Sequence, residues 1–141
     1  MNPKFIFYPC FALVLLTMIV WFAMLVRRAI HMNRYKVTPS DMPTRELADA
    51  KFGLAQIPNN NLMNLFEIPV LFYFSVVVIY QLQLVDVYYL WLSWTFVGLR
   101  YLHSFIHLSY NNVLHLVLPY LASTMLLWFI WFRIAFQTMA S

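Results

Sequence analysis

Long apolar segments separated by polar ones predict helices that cross a membrane. Residues 5–27 and 113–133 are nearly unbroken apolar runs, long enough for a hydrocarbon core of roughly 30 Å. Two further segments, 61–80 and 87–108, carry polar residues at one end. We interpret both as spans, because a soluble domain beside two membrane-length runs would be unusual. The pattern therefore predicts an all-α integral membrane protein with one domain, 1–141, folded as a four-transmembrane-helix bundle.

The connections between the predicted spans differ in length. The first, roughly residues 28–58, contains two prolines, and Thr44 is placed to cap a short helix from Arg45 to Phe52 that ends at Gly53. We expect this helix to lie along the membrane surface. The other two connections are only a few residues long, so consecutive helices should run antiparallel.

Composition and charge support this interpretation and orient it. The chain is 63% hydrophobic and 10% charged, with a mean hydropathy of +0.71. Most of its basic residues fall in or beside the first connection, which favours a cytoplasmic location for that connection and places both termini on the opposite side. The formal net charge of +4 fits contact with anionic lipid head groups, and nothing points to nucleic acid binding. These basic residues are Arg27, Arg28, Arg34, Lys36, Arg45 and Lys51.

The second and third predicted spans each carry one polar stripe near the cytoplasmic end. Residues at offsets of three, four and seven share one face of an α-helix, and both stripes follow this spacing. The stripes are Asn60, Asn64 and Glu67 on the second span and Arg100, His103, Ser104 and His107 on the third.

Antiparallel packing would bring the two stripes level with each other. In an antiparallel pair, each step forward along one helix corresponds to a step back along the other, so the residue numbers of two residues at equal depth add up to a nearly constant value. This relation places Glu67 opposite Arg100. Both lie about 10 Å below the cytoplasmic interface in this register, where an unpaired charge is costly. Glu67 is therefore expected to pair with Arg100, within one chain or across a subunit interface. The other pairs at equal depth are Asn64 with His103 and Asn60 with His107.

Two other interpretations of the stripes stay open. Buried Asn, Ser and His side chains often only hold membrane helices together, at about 1 kcal/mol or less for each hydrogen bond. His103 and His107 have the spacing of metal ligands, with Glu67 as a third, although the Arg100 guanidinium would oppose a cation. The number of ionisable groups, and a bend expected at Pro69, favour a polar cavity without a metal.

The stretches "NLFEIP" at 64–69 and "RYLHSFIH" at 100–107 resemble the MAPEG family, the membrane-associated proteins of eicosanoid and glutathione metabolism. The four-span layout and the basic first connection extend the resemblance over nearly the whole chain. It implies a homotrimer in a bacterial inner membrane that binds glutathione between subunits near the cytoplasmic face. The implied activity is glutathione transfer to, or peroxidase reduction of, a hydrophobic electrophile that arrives from the bilayer.

The resemblance also implies the residues that bind glutathione. Glu67 suits the ammonium group of glutathione, and Arg100 suits a carboxylate. Tyr120 falls where the family has a site tyrosine, although packing of an aromatic ring in the bundle explains it equally well. The implied glutathione-binding set is Asn64, Glu67, Arg100, His103, His107 and Tyr120.

Three positions depart from the family pattern. The most serious is Leu116, which stands where active members have an arginine near the thiol. His115 and Asn112 are polar and nearby, but neither is a permanent cation. The milder departures are His107 in place of the usual tyrosine and an early proline, Pro69.

These departures leave two functions open. One is a glutathione transferase or peroxidase whose catalytic candidates are Arg100, Tyr120 and His115. The other is a non-catalytic membrane protein that presents or senses a lipid in the same cavity. Leu116 is the residue that separates the two hypotheses.

The charge distribution generates a topology prediction. With Cys10 replaced by serine, a cysteine introduced at Arg34 or Lys51 should react with an impermeant thiol reagent from the cytoplasmic side, and a cysteine at Ser141 from the other side. Labelling of position 141 from the cytoplasm would overturn the predicted orientation.

Overall fold

The structure is a computed structural model that describes residues 2–140, and its regular elements there are all helical. Short 3₁₀ segments precede the first helix and interrupt the first connection. The last three long helices are joined by turns of a few residues, as the sequence predicts. The helices are α1 Tyr8–Tyr35, α2 Arg45–Phe52, α3 Ile57–Leu65, α4 Ile68–Gln81, α5 Val87–Ser109 and α6 Val113–Ala140.

Three helical stretches within residues 2–140 are long and apolar enough to cross a membrane: Pro3–Tyr35, Glu46–Gln81 and Val113–Ala140. Large apolar side chains on all three are exposed along the bundle. Such a surface suits hydrocarbon, because a soluble protein rarely exposes apolar area on this scale.

Helix α5 coincides with the third predicted span but is not among these three stretches. Its 23 residues reach about 35 Å, enough for a hydrocarbon core. Its mean hydropathy is lowered by polar residues that face the interior, namely Ser93, Arg100, His103, Ser104 and His107. Its exposed side carries large apolar residues instead, namely Trp91, Trp94, Leu102 and Phe105.

The long helices pack around a common apolar core. Helix α5 lies along α6, while α1 packs against α3 and α5, and α4 packs against α6. The rings of Phe72 and Phe96 stack with their centroids 4.4 Å apart, joining α4 to α5 in the antiparallel arrangement that the short connection predicts. The Tyr101 hydroxyl donates a hydrogen bond to the Ala12 carbonyl over 2.8 Å, which ties α5 to α1.

The second predicted span is broken into α3 and α4 at Phe66 and Glu67. Pro69 is in the first turn of α4, where its missing N–H costs nothing, whereas within a continuous helix its ring would clash with the Leu65 carbonyl. The break therefore lies where the sequence predicts a bend. It leaves the Glu67 side chain exposed on the single chain.

The first connection folds against the end of α1, which continues eight residues beyond the predicted boundary at 27. The short helix α2 has the predicted bounds: Thr44 accepts a hydrogen bond from the Leu47 amide, and Gly53 ends the helix with a φ of 49°. Arg28 donates to the Gln56 side chain over 2.8 Å and lies over the ring of Phe52. We call this end of the bundle, which carries the first connection, the basic end.

At the opposite end, a bidentate ion pair joins α5 to α6. Arg133 contacts both carboxylate oxygens of Asp86, at 3.2 and 2.5 Å. Asp86 also caps α5 by accepting from the Tyr89 amide over 2.8 Å. Burial alone would raise the pKa of the Asp86 carboxyl, but the hydrogen bonds from Arg133 and the Tyr89 amide lower it below its usual value.

This ion pair generates a prediction on stability. Asp86→Ala should lower the free energy of unfolding by about 1–2 kcal/mol near neutral pH, because it removes a helix cap and an ion pair. A lowered carboxyl pKa stabilises the folded state above the unfolded-state value near 3.9, and this stabilisation is lost as the pH falls through the folded-state value. The difference in melting temperature between the wild type and Asp86→Ala should therefore shrink on acidification. Glu46→Ala, which removes an exposed carboxylate from α2, is the control. A difference in melting temperature that stays the same at neutral and at acidic pH would contradict the ion pair between Asp86 and Arg133.

Candidate functional site

A pocket of about 170 Å³ opens between α3, α5 and α6 near the basic end. Asn64 of α3 and the two histidines of α5 contribute its polar wall, while α6 contributes Leu116 and Tyr120. We call it the α3–α5–α6 pocket. Its lining residues are Asn64, His103, His107, Val113, Leu116, Val117 and Tyr120. The structure thus brings together four of the six residues that the family resemblance implies.

Arg100 lies next to this pocket and is fully buried. Its guanidinium carbon is 5.2 Å from the centroid of the Tyr120 ring and 5.3 Å from that of Phe96. Aromatic faces at these distances attract a cation, but they do not accept all of its N–H groups. None of the three guanidinium nitrogens has a hydrogen-bond partner among residues 2–140. A charge without acceptors is expensive at such a position.

His103 is held by α6. Its Nδ1 lies 3.1 Å from the backbone carbonyl oxygen of Leu116, which can only accept, so Nδ1 carries the hydrogen. In the neutral ring this tautomer leaves Nε2 as an acceptor. Nε2 is buried and has no hydrogen-bond partner among residues 2–140, and the same is true of Nδ1 of His107. Leu116 thus positions a histidine through its backbone at the place where the family pattern has an arginine.

A second polar contact joins α3 to α5. Ser104 donates to Oδ1 of Asn61 over 3.2 Å, and both side chains are fully buried. Asn60, predicted to lie opposite His107, is exposed instead, and the buried place is taken by Asn61, one residue further on. Sequence reasoning missed Asn61 because it followed a stripe based on Asn60 and Asn64, although Asn61 is also three residues before Asn64. At the basic end, the alignment of α3 with α5 therefore differs slightly from the predicted one, in which Asn60 is opposite His107.

Glu67 and Arg100 do not form an ion pair within the single chain. The side chains that the structure describes form one ion pair, Arg133 with Asp86. Glu67 is exposed at the break between α3 and α4. Pairing across a subunit interface stays a prediction.

The two polar substitutes for the missing arginine are outside the α3–α5–α6 pocket. His115 is exposed and its Nδ1 is 3.0 Å from the Tyr110 hydroxyl. Asn112 caps α6 by accepting from the amides of Leu114 and His115. Among residues 2–140, no three His, Cys, Asp or Glu side chains are grouped to hold a metal ion, so the metal alternative gains no support.

The unpartnered groups determine what this region can bind. Arg100 offers a planar fork of donors that matches a carboxylate, and His103 offers an acceptor at Nε2. Donors and acceptors close together, with an aromatic ring beside them, suit a small ligand that carries both carboxylate and N–H or S–H groups. Apolar side chains from α6 complete the pocket.

An all-helical chain with long apolar stretches and a polar pocket at one end is an integral membrane protein. The sequence model of the MAPEG family matches residues 6–136, nearly the whole chain. The chain therefore belongs to the MAPEG family. No curated protein and no solved structure shows significant similarity to it.

The buried contact between α3 and α5 generates a prediction. Ser104→Ala should lower the free energy of unfolding by about 1 kcal/mol, because Asn61 loses its donor inside the bundle. Ser109→Ala is the matched control, since Ser109 is exposed on the same helix and bonds only to carbonyls of its own helix. The measurement is thermal unfolding in one detergent. An effect of Ser104→Ala no larger than that of the control would contradict the assigned contact.

Proposed function

We propose that this MAPEG protein binds glutathione at the basic end and attaches it to, or uses it to reduce, hydrophobic electrophiles from the bilayer. The observation that carries the proposal is Arg100, a fully buried guanidinium without a hydrogen-bond partner among residues 2–140, beside a pocket with two histidines. A carboxylate of glutathione would supply the acceptors that this guanidinium needs.

The assembly belongs to the proposal. Helix α5 also crosses the membrane and completes the set of four spans, because its polar residues face inward and its exposed side is apolar. The active unit is a homotrimer in which Glu67, exposed on one chain, approaches the ammonium group of glutathione or Arg100 of a neighbour. For this pairing the Arg100 guanidinium, buried on the single chain, turns away from the rings of Phe96 and Tyr120. A shared site would supply the acceptors that the Arg100 guanidinium lacks among residues 2–140.

The remaining residues have complementary roles. Asn64 and His107 line the α3–α5–α6 pocket and would contact the peptide groups of glutathione. Nε2 of His103 accepts a hydrogen bond from an N–H or S–H group. In conjugation, the thiol proton passes to Nε2 of His103 and the sulfur forms a bond to the electrophilic carbon, while the leaving group departs from that carbon with the bonding electrons and takes up the proton. In reduction of a hydroperoxide, two glutathione thiols are oxidised to one disulfide, and the hydroperoxide becomes an alcohol and water. Tyr120, at the pocket wall, is placed to donate to a sulfur or carboxylate.

A second function is favoured by a specific observation. Leu116 puts an apolar side chain and no cation into the pocket wall, and His115 points to Tyr110 instead of the pocket. Thiolate formation then lacks the permanent charge that would favour it. A non-catalytic protein that presents or senses a lipid in the same pocket fits this apolar wall.

Calorimetric titration of glutathione into the detergent-solubilised wild type is the direct test of binding. We expect measurable binding at submillimolar to millimolar concentrations, and a loss of at least about tenfold in Arg100→Leu, because a charge-assisted contact contributes roughly 1.5 kcal/mol or more. Arg34→Gln removes a guanidinium outside the pocket and is the control. The absence of heat at millimolar glutathione would leave only the lipid function, and a conjugation assay on the same sample would separate binding from catalysis.

A double-mutant cycle tests the intersubunit pair. Glu67→Gln and Arg100→Leu should each destabilise the assembly by about 3–5 kcal/mol, because each leaves one charge unpaired at depth, and the double variant should recover part of the loss. The double variant should nevertheless lose glutathione, since both charges that hold the ligand are gone. Strictly additive destabilisation would show that the two residues are not partners. Unchanged glutathione affinity in the double variant would move the site elsewhere.

A further inference from the structure

A cleft of about 280 Å³ lies between the end of α1 and the turn after α2, apart from the α3–α5–α6 pocket. Three basic side chains and three apolar ones form most of its wall, and no acidic side chain that the structure describes lines it. We call it the basic cleft. These residues are Arg27, Ile30, His31, Arg34, Tyr35 and Leu54.

We propose that the basic cleft is a binding site for the phosphate head group of an anionic phospholipid. The proposal does not depend on glutathione or on the proposed function. It rests on the position of the cleft along α1, on its charge and on its exposed apolar rim.

The first argument is the position of the cleft relative to the bilayer. The apolar run of α1 ends at Val26, so Arg27 marks the boundary of the hydrocarbon. His31 and Arg34 follow about 6 and 10 Å further along the helix axis. The polar head-group layer is roughly 5–8 Å thick on each side of a bilayer. Arg27 and His31 therefore lie within the layer where phospholipid phosphates are found. The Arg34 backbone lies just beyond it, and its long side chain, tilted toward the N-terminus of α1, reaches back into it.

The second argument is charge. Arg27 donates one hydrogen bond to the Leu108 carbonyl over 2.7 Å, which fixes its guanidinium and leaves further donors available. Arg34 is exposed, and its guanidinium lies 5.8 Å from the Tyr35 ring centroid. The Asp49 carboxylate accepts a hydrogen bond from the Gln56 amide and does not line the cleft. Two guanidinium groups without a competing acid in the wall favour an anion.

The third argument separates a lipid from a free anion. Leu54 is 83% exposed and Ile30 is 62% exposed at the rim of the cleft. Apolar side chains beside cations at head-group level match a molecule that has both a phosphate and acyl chains. Inorganic phosphate would gain nothing from this rim.

Native mass spectrometry of the delipidated, detergent-solubilised protein tests the proposal. The probes are dioleoylphosphatidylglycerol, dioleoylphosphatidylcholine and inorganic phosphate. We expect the wild type to prefer phosphatidylglycerol over phosphatidylcholine, and Arg34→Gln to weaken phosphatidylglycerol binding about fivefold. Lys51 is exposed in the same connection but does not line the cleft, so Lys51→Gln should change phosphatidylglycerol binding little. Arg34→Lys keeps the charge and should retain most of the binding.

Leu54→Ser tests the apolar rim, and it should weaken phosphatidylglycerol binding several-fold. Equal losses in Arg34→Gln and Lys51→Gln would show general attraction to a charged surface and overturn the proposal. Equal binding of the two lipids would exclude head-group recognition. Displacement of the lipid by inorganic phosphate at equal concentration would show that the cleft takes a free anion.

Discussion

A guanidinium group buried inside a membrane bundle needs acceptors, and Arg100 imposes this requirement on the basic end of the molecule. Its side chain is fully buried, and its guanidinium carbon lies 5.3 Å from the ring centroid of Phe96 and 5.2 Å from that of Tyr120. Aromatic faces offset part of the cost of burying the charge, but the N–H groups still require oxygen atoms. The break before Pro69 turns the Glu67 carboxylate outward, so Glu67 does not supply these oxygen atoms within the chain.

The two arginines on the packed faces of α5 and α6 differ in whether they have a partner within the chain. Arg133 is paired on both carboxylate oxygens with Asp86, which also caps α5. That pair joins two helices and is complete within the chain. Arg100 has no such partner among residues 2–140. A structural role explains Arg133, whereas a binding role is the better explanation of Arg100.

Much of the fold follows from patterns that are local in sequence. Thr44 and Gly53 delimit α2 because a cap and a stop act within a few residues, and Pro69 breaks its helix for the same reason. Helix α1 continues past residue 27, where the predicted span ends, because charged residues such as Arg28 end a hydrophobic run but not a helix. Family membership also follows from short motifs that the whole-chain match confirms.

The site was harder to predict, because it depends on packing across helices. The helical spacing groups Asn64 with the residues of α5, but only the three-dimensional structure shows that Asn61 and not Asn60 is buried. No sequence pattern indicates that the carbonyl of Leu116 fixes the His103 ring, or that His115 turns away to Tyr110. These contacts depend on the rotation of α6 about its axis, which hydrophobic periodicity specifies only loosely.

Electron cryomicroscopy of the detergent-solubilised assembly with glutathione would show which atoms surround Arg100. We predict a multimer in which an oxygen of glutathione, or of Glu67 from a neighbouring chain, lies about 3 Å from a guanidinium nitrogen. An assembly in which Arg100 contacts only its own chain, with glutathione elsewhere or unbound, would contradict it.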